Sequence, residues 1–143
     1  MTGLQVPDRA EAIRDRYRAT FGAVPSAIEQ RLRVAEATGR LSAVEVIEDV
    51  RQVLLADNVL GARVQQLVHF GQLLVLGHSG PGRLHARGSL RAGATLTDLV
   101  GVAETAMITA GMPAYSLGIE IIAELIGAAP GAQDLLTELT DQS

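Results

Sequence analysis

The chain contains no cysteine and no lysine. Without a thiol it can form no disulfide, no CxxC redox couple, no thiolate nucleophile and no Cys-ligated metal site. Without a lysine it has no amine for a Schiff base to substrate or for a pyridoxal phosphate linkage. All twelve basic residues are arginine, so any chemistry must use His, carboxylates, hydroxyls and Arg. Tryptophan is absent and aromatics make up only 3%. The core must therefore be built from Leu, Val, Ile and Ala, which suits packed helices better than a β-sandwich.

Positive charge is scarce as well. A formal charge of -4 and a pI near 5.3 supply no basic field, and no Arg-rich block alternates with aromatics, which argues against nucleic acid as a partner. The apolar runs are shorter than the roughly 18 to 20 residues a membrane span needs. The amino terminus, MTGLQVPDRAEAIRD, lacks the apolar stretch of a signal peptide. These features lead us to expect a cytoplasmic protein with no membrane segment. With 143 residues the chain has the size of one ordinary domain, so we expect a single all-α domain over 1–143, with its core in 62–127.

What is present is mostly helical periodicity. Asp8 opens a segment to about Thr20 in which Ala12, Ile13, Tyr17 and Phe21 recur at helical spacing. Ser26 with Glu29, and Ser42 with Glu45, have the spacing of capping boxes for a second and a third helix. The third is expected to bury Val46, Ile47, Val50, Val53 and Leu54 and to run to about Leu55. From Ala62 to Leu76 apolar residues occupy nearly every side, predicting a helix buried nearly all round. A Gly-rich break at HSGPG precedes a short helix ending at Gly93. Thr95 with Asp98 caps another helix, which Gly111 and Pro113 end. AYSLGIEIIAELIG and a weak terminal segment, Ala132 to Leu139, complete a compact bundle of seven or eight helices with short connections.

All three histidines fall between Ala62 and Pro113. His85 lies mid-helix, where only a histidine titrates near neutrality unaided; it is either a general acid/base or a structural side chain. His78 lies in the Gly-rich turn, where it is either solvated or beside the same pocket. His69, with Gln65 and Gln72 on one stripe, forms either a pocket wall or an internal hydrogen-bonded network. The spacing of the three lacks the i, i+4 pair of a helical zinc site, so we expect no metal. Arg83, Arg87 and Arg91 recur every four residues as a basic row on another face of the helix than His85. This row is either a salt-bridged surface or the source of a carboxylate anchor. Glu104 and Tyr115 are candidate pocket residues, or structural ones.

The run LVHFGQLLVLGHSGPGRLHARGSLRAGATLTDLVGVAETAMITAGMPAYSLGIEI resembles the core of the carboxymuconolactone decarboxylase family. Its order is a buried helix, a turn, a helix with a central His followed by Arg, "AGAT", another helix and "AGxPA". The likeness covers roughly Gln65 to Leu125, and FGAVP at Phe21 to Pro25 is similar to a segment of the wider superfamily. The resemblance implies an alkylhydroperoxidase D-like fold. In the peroxidase branch a CxxC precedes the helix His by seven residues; here those positions hold His78 and Pro81, and the relay carboxylate position holds Gln66. CxxC peroxidase activity is thereby excluded.

The resemblance instead implies a cofactor-free lyase, decarboxylating a small anionic lactone such as 4-carboxymuconolactone. His85 and His78 would be catalytic, Arg87 would anchor a substrate carboxylate, and no cofactor would be needed; His69, Gln66, Glu104 and Tyr115 are our further candidates for the substrate pocket. It also implies a homo-oligomer, trimeric or hexameric. Two alternatives stay open: a cofactor-independent isomerase or cyclase acting on an aromatic or polyketide-like intermediate, and a non-catalytic oligomeric binding protein.

Overall fold

A computed structural model describes residues 8–128. Among them are seven α-helices and no strand: α1 (Arg9–Phe21), α2 (Ser26–Thr38), α3 (Leu41–Arg51), α4 (Ala62–Leu76), α5 (Ser79–Arg91), α6 (Leu96–Ala110) and α7 (Met112–Ala128). A π-helical turn, Gln52–Ala56, extends α3. The terminal segment Ala132 to Leu139 lies outside the described residues. The helices form two compact units that divide between Ala62 and Arg63, each with its own core.

In the first unit α1, α2 and α3 bury Ala10, Ile13 and Tyr17, then Ile28, Leu32 and Ala35, then Val44. Asp8 caps α1, its carboxylate accepting from the Ala10 backbone N–H at 3.1 Å. The two capping boxes expected next do not form. Pro25 is the N-cap of α2, with Ser26 already helical, and Glu29 accepts instead from Arg14 of α1 at 3.0 Å. Arg40 precedes α3 without a side-chain cap, and Glu45 pairs with Arg9. In both cases an arginine on α1 offers the carboxylate a charge-assisted bond that outcompetes a neutral local one.

The face of α3 also differs from expectation. Val44 and Glu48 turn inward, while Val46, Ile47, Val50, Val53 and Leu54 are all exposed. The cause is polar. The Glu48 carboxylate accepts from the buried Tyr17 hydroxyl at 2.8 Å and from Arg31 at 3.2 Å, with Arg51 3.7 Å away. Such a network holds α3 by its carboxylate-bearing side, because a buried carboxylate without donors would cost several kcal/mol, of order 3 to 5.

The second unit is more apolar. Phe70 and Leu74 of α4, Ala86 of α5, Leu99, Ala103 and Ala106 of α6, and Ala114, Ile121 and Ile122 of α7 form one cluster. Small residues let the axes approach. A Cβ on Gly118 would lie 2.7 Å from the Ala103 Cβ and 3.0 Å from a Leu74 methyl, so only glycine fits where α7 crosses α6. The Thr95–Asp98 capping box on α6 is present in both directions, at 3.1 and 2.9 Å.

α4 and the Gly-rich turn after it also differ from expectation. α4 is not buried all round, since Val64, Val68, Val75 and Leu76 are exposed on the side that faces away from Phe70 and Leu74. The break at HSGPG is confined to Gly77, whose φ of 74° ends α4, and His78, which precedes α5. Gly80, Pro81 and Gly82 are already helical, because proline in a first turn gives up an N–H that has no partner within the helix.

Candidate functional site

Gln66 and His69, three residues apart on α4, share one stripe of that helix, and His85 faces it from the middle of α5. Gln66 and His85 are buried, at 6% and 3% exposure, and their side chains meet at 2.7 Å between His85 Nδ1 and Gln66 Oε1. An amide oxygen can only accept, so Nδ1 carries the proton, and in the neutral ring Nε2 bears the lone pair. The half-buried His69 ring lies against that of His85, with centroids 3.9 Å apart and planes tilted by 43°. Two imidazoles and one amide thus form a compact cluster inside the second unit.

The backbone around His85 is held on both sides. Ser89, one turn on and fully buried, donates its hydroxyl to the His85 carbonyl at 2.8 Å. Gly82, one turn back, brings α5 against α7, where an added Cβ would meet the Ile121 Cδ1 at 3.2 Å. Neither residue stands among the sequence candidates. Ser89 was legible as an i+4 neighbour of His85, while the role of Gly82 depends on a helix more than thirty residues away in sequence.

The remaining candidates are placed elsewhere. His78 is exposed at the N-cap of α5, seven residues and so about 10 Å of helix rise from His85. Arg87 is exposed on another side of α5, and its charge helps hold the Glu124 carboxyl below the usual range; the largest cause there is the hydrogen bond from Arg83. Arg83 itself bridges Glu124 at 2.8 Å and Glu120 at 3.3 Å on α7, so this part of the basic row is a salt-bridged surface. Glu104 is exposed on α6, and Tyr115 is half-buried against the apolar cluster.

A separate apolar groove of about 860 Å³ runs between α4 and α6, lined by residues such as Val64, Val68, Gly71, Val75, Gly101 and Val102. None of the seven candidate residues lines it. Gln72, which shares the polar stripe with Gln65 and His69, does. The groove and the histidine cluster thus use neighbouring sides of α4, with Gln72 at the border between them.

Among the described residues no three His, Asp or Glu side chains gather as metal ligands, and no helix is long and apolar enough to cross a membrane. Comparison with curated proteins and with solved structures returns no match. The family model of the carboxymuconolactone decarboxylase family matches residues 42–124, more than half of the chain, and takes in α4, α5, α6 and most of α7. With an all-helical fold and a buried helix histidine inside the matched region, the chain belongs to the carboxymuconolactone decarboxylase family.

Proposed function

We propose that the protein is a cofactor-free carbon–carbon lyase, decarboxylating a small anionic lactone-type substrate with His85 as the proton donor to carbon. The observation that carries this reading is the 2.7 Å bond from His85 Nδ1 to Gln66 Oε1. It fixes the tautomer and the ring orientation, the task that an orienting partner performs for a general acid or base.

In the reaction the bond between the substrate ring and its carboxylate breaks and carbon dioxide leaves. The electron pair passes into the conjugated lactone as an enolate, and the imidazolium Nε2–H of His85 delivers a proton to carbon. His85 is then neutral and regains a proton from solvent along the side of the half-exposed His69. Burial serves the step, since a carboxylate stripped of water is lost more readily than a solvated one. No external electron sink is required when the substrate can delocalise the pair. His78, the other catalytic candidate, is exposed at the N-cap of α5, away from the cluster around His85, and takes no step in the reaction. We place the protein as a homo-oligomer, trimeric or hexameric.

One observation favours a second reading. His85 is only 3% exposed, and the groove between α4 and α6 is lined by none of the candidate residues, as would suit a non-catalytic oligomeric binding protein with structural histidines. Carbon dioxide release from 4-carboxymuconolactone separates the two. His85→Ala is expected to lower turnover by about 10² to 10⁴ while the helical circular dichroism is retained. Release of carbon dioxide at an undiminished rate by the variant discards the assignment of His85, and no release by the wild type discards the lyase reading for this substrate.

A further inference from the structure

α4 and α5 bring two imidazoles into contact, and such a contact couples their protons. The centroids of the His69 and His85 rings are 3.9 Å apart, with the planes tilted by 43°. A like charge within about 4 to 6 Å disfavours a second one, and His85 is only 3% exposed, so little water screens the two rings from each other. We propose that His69 and His85 bind one proton between them across the range in which histidines titrate, with His69 the positioning residue that governs when His85 is charged. Its use in catalysis rests on the reading of His85 as proton donor; the sharing of the proton rests on the ring contact.

The side chains beside the pair supply dipoles where a second proton would call for a negative charge. Gln66 accepts from His85 Nδ1 at 2.7 Å through an amide oxygen, which suits the imidazolium and the neutral ring alike but is itself uncharged. Gln65 and Gln72, on the same stripe of α4 as His69, are amides as well. The charged groups of α4 to α7 are Arg63 and Asp98, paired at 3.4 Å, Arg83, paired with Glu120 and Glu124, and the exposed Arg87, Arg91 and Glu104; the Tyr115 phenol is half-buried. A fixed charge or a further hydrogen bond at either ring raises or lowers that ring's affinity for its proton, but it leaves the repulsion between the rings in place. The separation between the two steps of proton uptake therefore does not fall below that repulsion.

In the reaction the pair acts as a store of one proton. The proton on His85 Nε2 passes to the substrate carbon, which leaves both rings neutral, and one proton from solvent, entering at the half-exposed His69 or at His85, restores the pair. His69 is neutral whenever His85 is charged, so the buried cluster does not carry two positive charges at once.

NMR of the imidazole rings, followed from about pH 9 down to the onset of acid unfolding, tests the proposal. The chain has three histidines, and removing each in turn, by His69→Gln, His78→Gln and His85→Gln, assigns their signals, with circular dichroism to check that the helices are kept. In the wild type both rings of the pair are expected to follow both steps of uptake, more than about 1 pH unit apart, while the exposed His78 follows one step of its own. If acid unfolding precedes the lower step, a single step followed by both rings is the expected form. In His69→Gln, as in His85→Gln, the remaining ring is expected to take up its proton more than about 1 pH unit above the lower step of the wild type, or above the onset of unfolding where that comes first. Rings that touch only for packing would titrate unmoved by each other's removal.

Should His69→Gln or His85→Gln not fold, His78→Gln, at an exposed position, still identifies the pair by elimination, and the wild-type curves decide. Two rings that each follow one step of their own overturn the proposal, as does a pair that takes up no proton before the chain unfolds. No substrate enters this titration. Its failure leaves the lyase reading standing, and an absence of carbon dioxide release leaves the shared proton standing.

Discussion

In the first unit the buried carboxylate of Glu48 is met by Tyr17, Arg31 and Arg51, whereas in the second the buried polar side chains of Gln66 and His85 meet each other beside His69. Both arrangements satisfy polar atoms that would otherwise be costly to bury, but they differ in what they can do. Two of the three partners of Glu48 are guanidiniums, one hydrogen-bonded and one 3.7 Å away, and the third is a phenol. That network serves to hold α1, α2 and α3 together. The second cluster contains two imidazoles, the one side-chain type that exchanges a proton near pH 7 unaided, and one of them is held in a fixed tautomer. A buried polar residue alone does not mark a site; one that titrates and is oriented by a neutral partner is the better candidate.

The contrast can be broken most forcefully at Glu48. Glu48→Ala removes the acceptor of two hydrogen bonds and the ion-pair partner of Arg51, and leaves the buried Tyr17 hydroxyl without its partner, so it is expected to cost about 3 kcal/mol. Urea unfolding followed by circular dichroism measures the loss. NMR signals of the His85 ring should stay where they are, because that ring belongs to the other unit. A loss below about 0.5 kcal/mol, the level of ordinary surface substitutions, would show that the apolar residues hold the three helices without help.

The second unit should break by crowding instead. Gly118→Ala places a Cβ 2.7 Å from that of Ala103 and 3.6 Å from its Cα, and alanine has no rotamer with which to yield. The expected cost is about 1 to 3 kcal/mol, read as a lowered thermal midpoint. Gly127→Ala on the same helix provides the control. It meets nothing within 4 Å and should leave stability unchanged or raise it by about 0.5 to 1 kcal/mol through helix propensity.

How far the sequence could be read follows from the range of the interactions involved. The helices were legible because periodicity and caps are local: Asp8 before α1, and Thr95 with Asp98 at α6, act within four residues. The capping boxes at Ser26 and Ser42 misled because Arg14 and Arg9, on α1, took the carboxylates at Glu29 and Glu45. Periodicity also showed that α3 and α4 have apolar sides without showing what covers them. For α3 the answer lay with Glu48, whose partners come from three separate helical segments. His85 stood out by residue type. Its bond to Gln66, nineteen residues away, and its ring contact with His69 depend on how α5 lies along α4. No pattern within either helix encodes that.

The smaller effects are in pH, and they run in opposite directions in the two units. Burial, with the hydrogen bond to Glu48 as a lesser cause, raises the Tyr17 pKa above its usual value near 10. A raised value means that the folded state holds the proton more tightly than the unfolded chain does. The contribution is fully present below about pH 10 and is lost as pH rises through the folded value. The wild type is therefore expected to lose stability above about pH 10. Tyr17→Phe should begin about 1 kcal/mol less stable at neutral pH, for want of one hydrogen bond, and show a flatter alkaline limb. Equal slopes for the two proteins in urea melts from pH 8 to 11 would remove Tyr17 as the source.

In the second unit the sign reverses. The Thr95 backbone N–H, then the Thr95 hydroxyl and Arg63, hold the Asp98 carboxyl below its usual range against a partly opposing desolvation. A depressed value means that the folded state favours the ionised form. The contribution is present above the unfolded pKa near 3.9 and is lost as pH falls through the folded value. Asp98→Asn keeps an oxygen able to accept from Thr95 but has no proton to take up, so its stability should vary less with pH between about 5 and 2 than that of the wild type. Because the carboxylate is partly solvated and Arg63 lies 3.4 Å away across exposed surface, added salt should shrink the difference. Acid unfolding curves of the two proteins at low and high ionic strength test both statements. Parallel curves at low salt would mean that the capping box of α6 acts through geometry alone and that its charge contributes nothing measurable to the second unit.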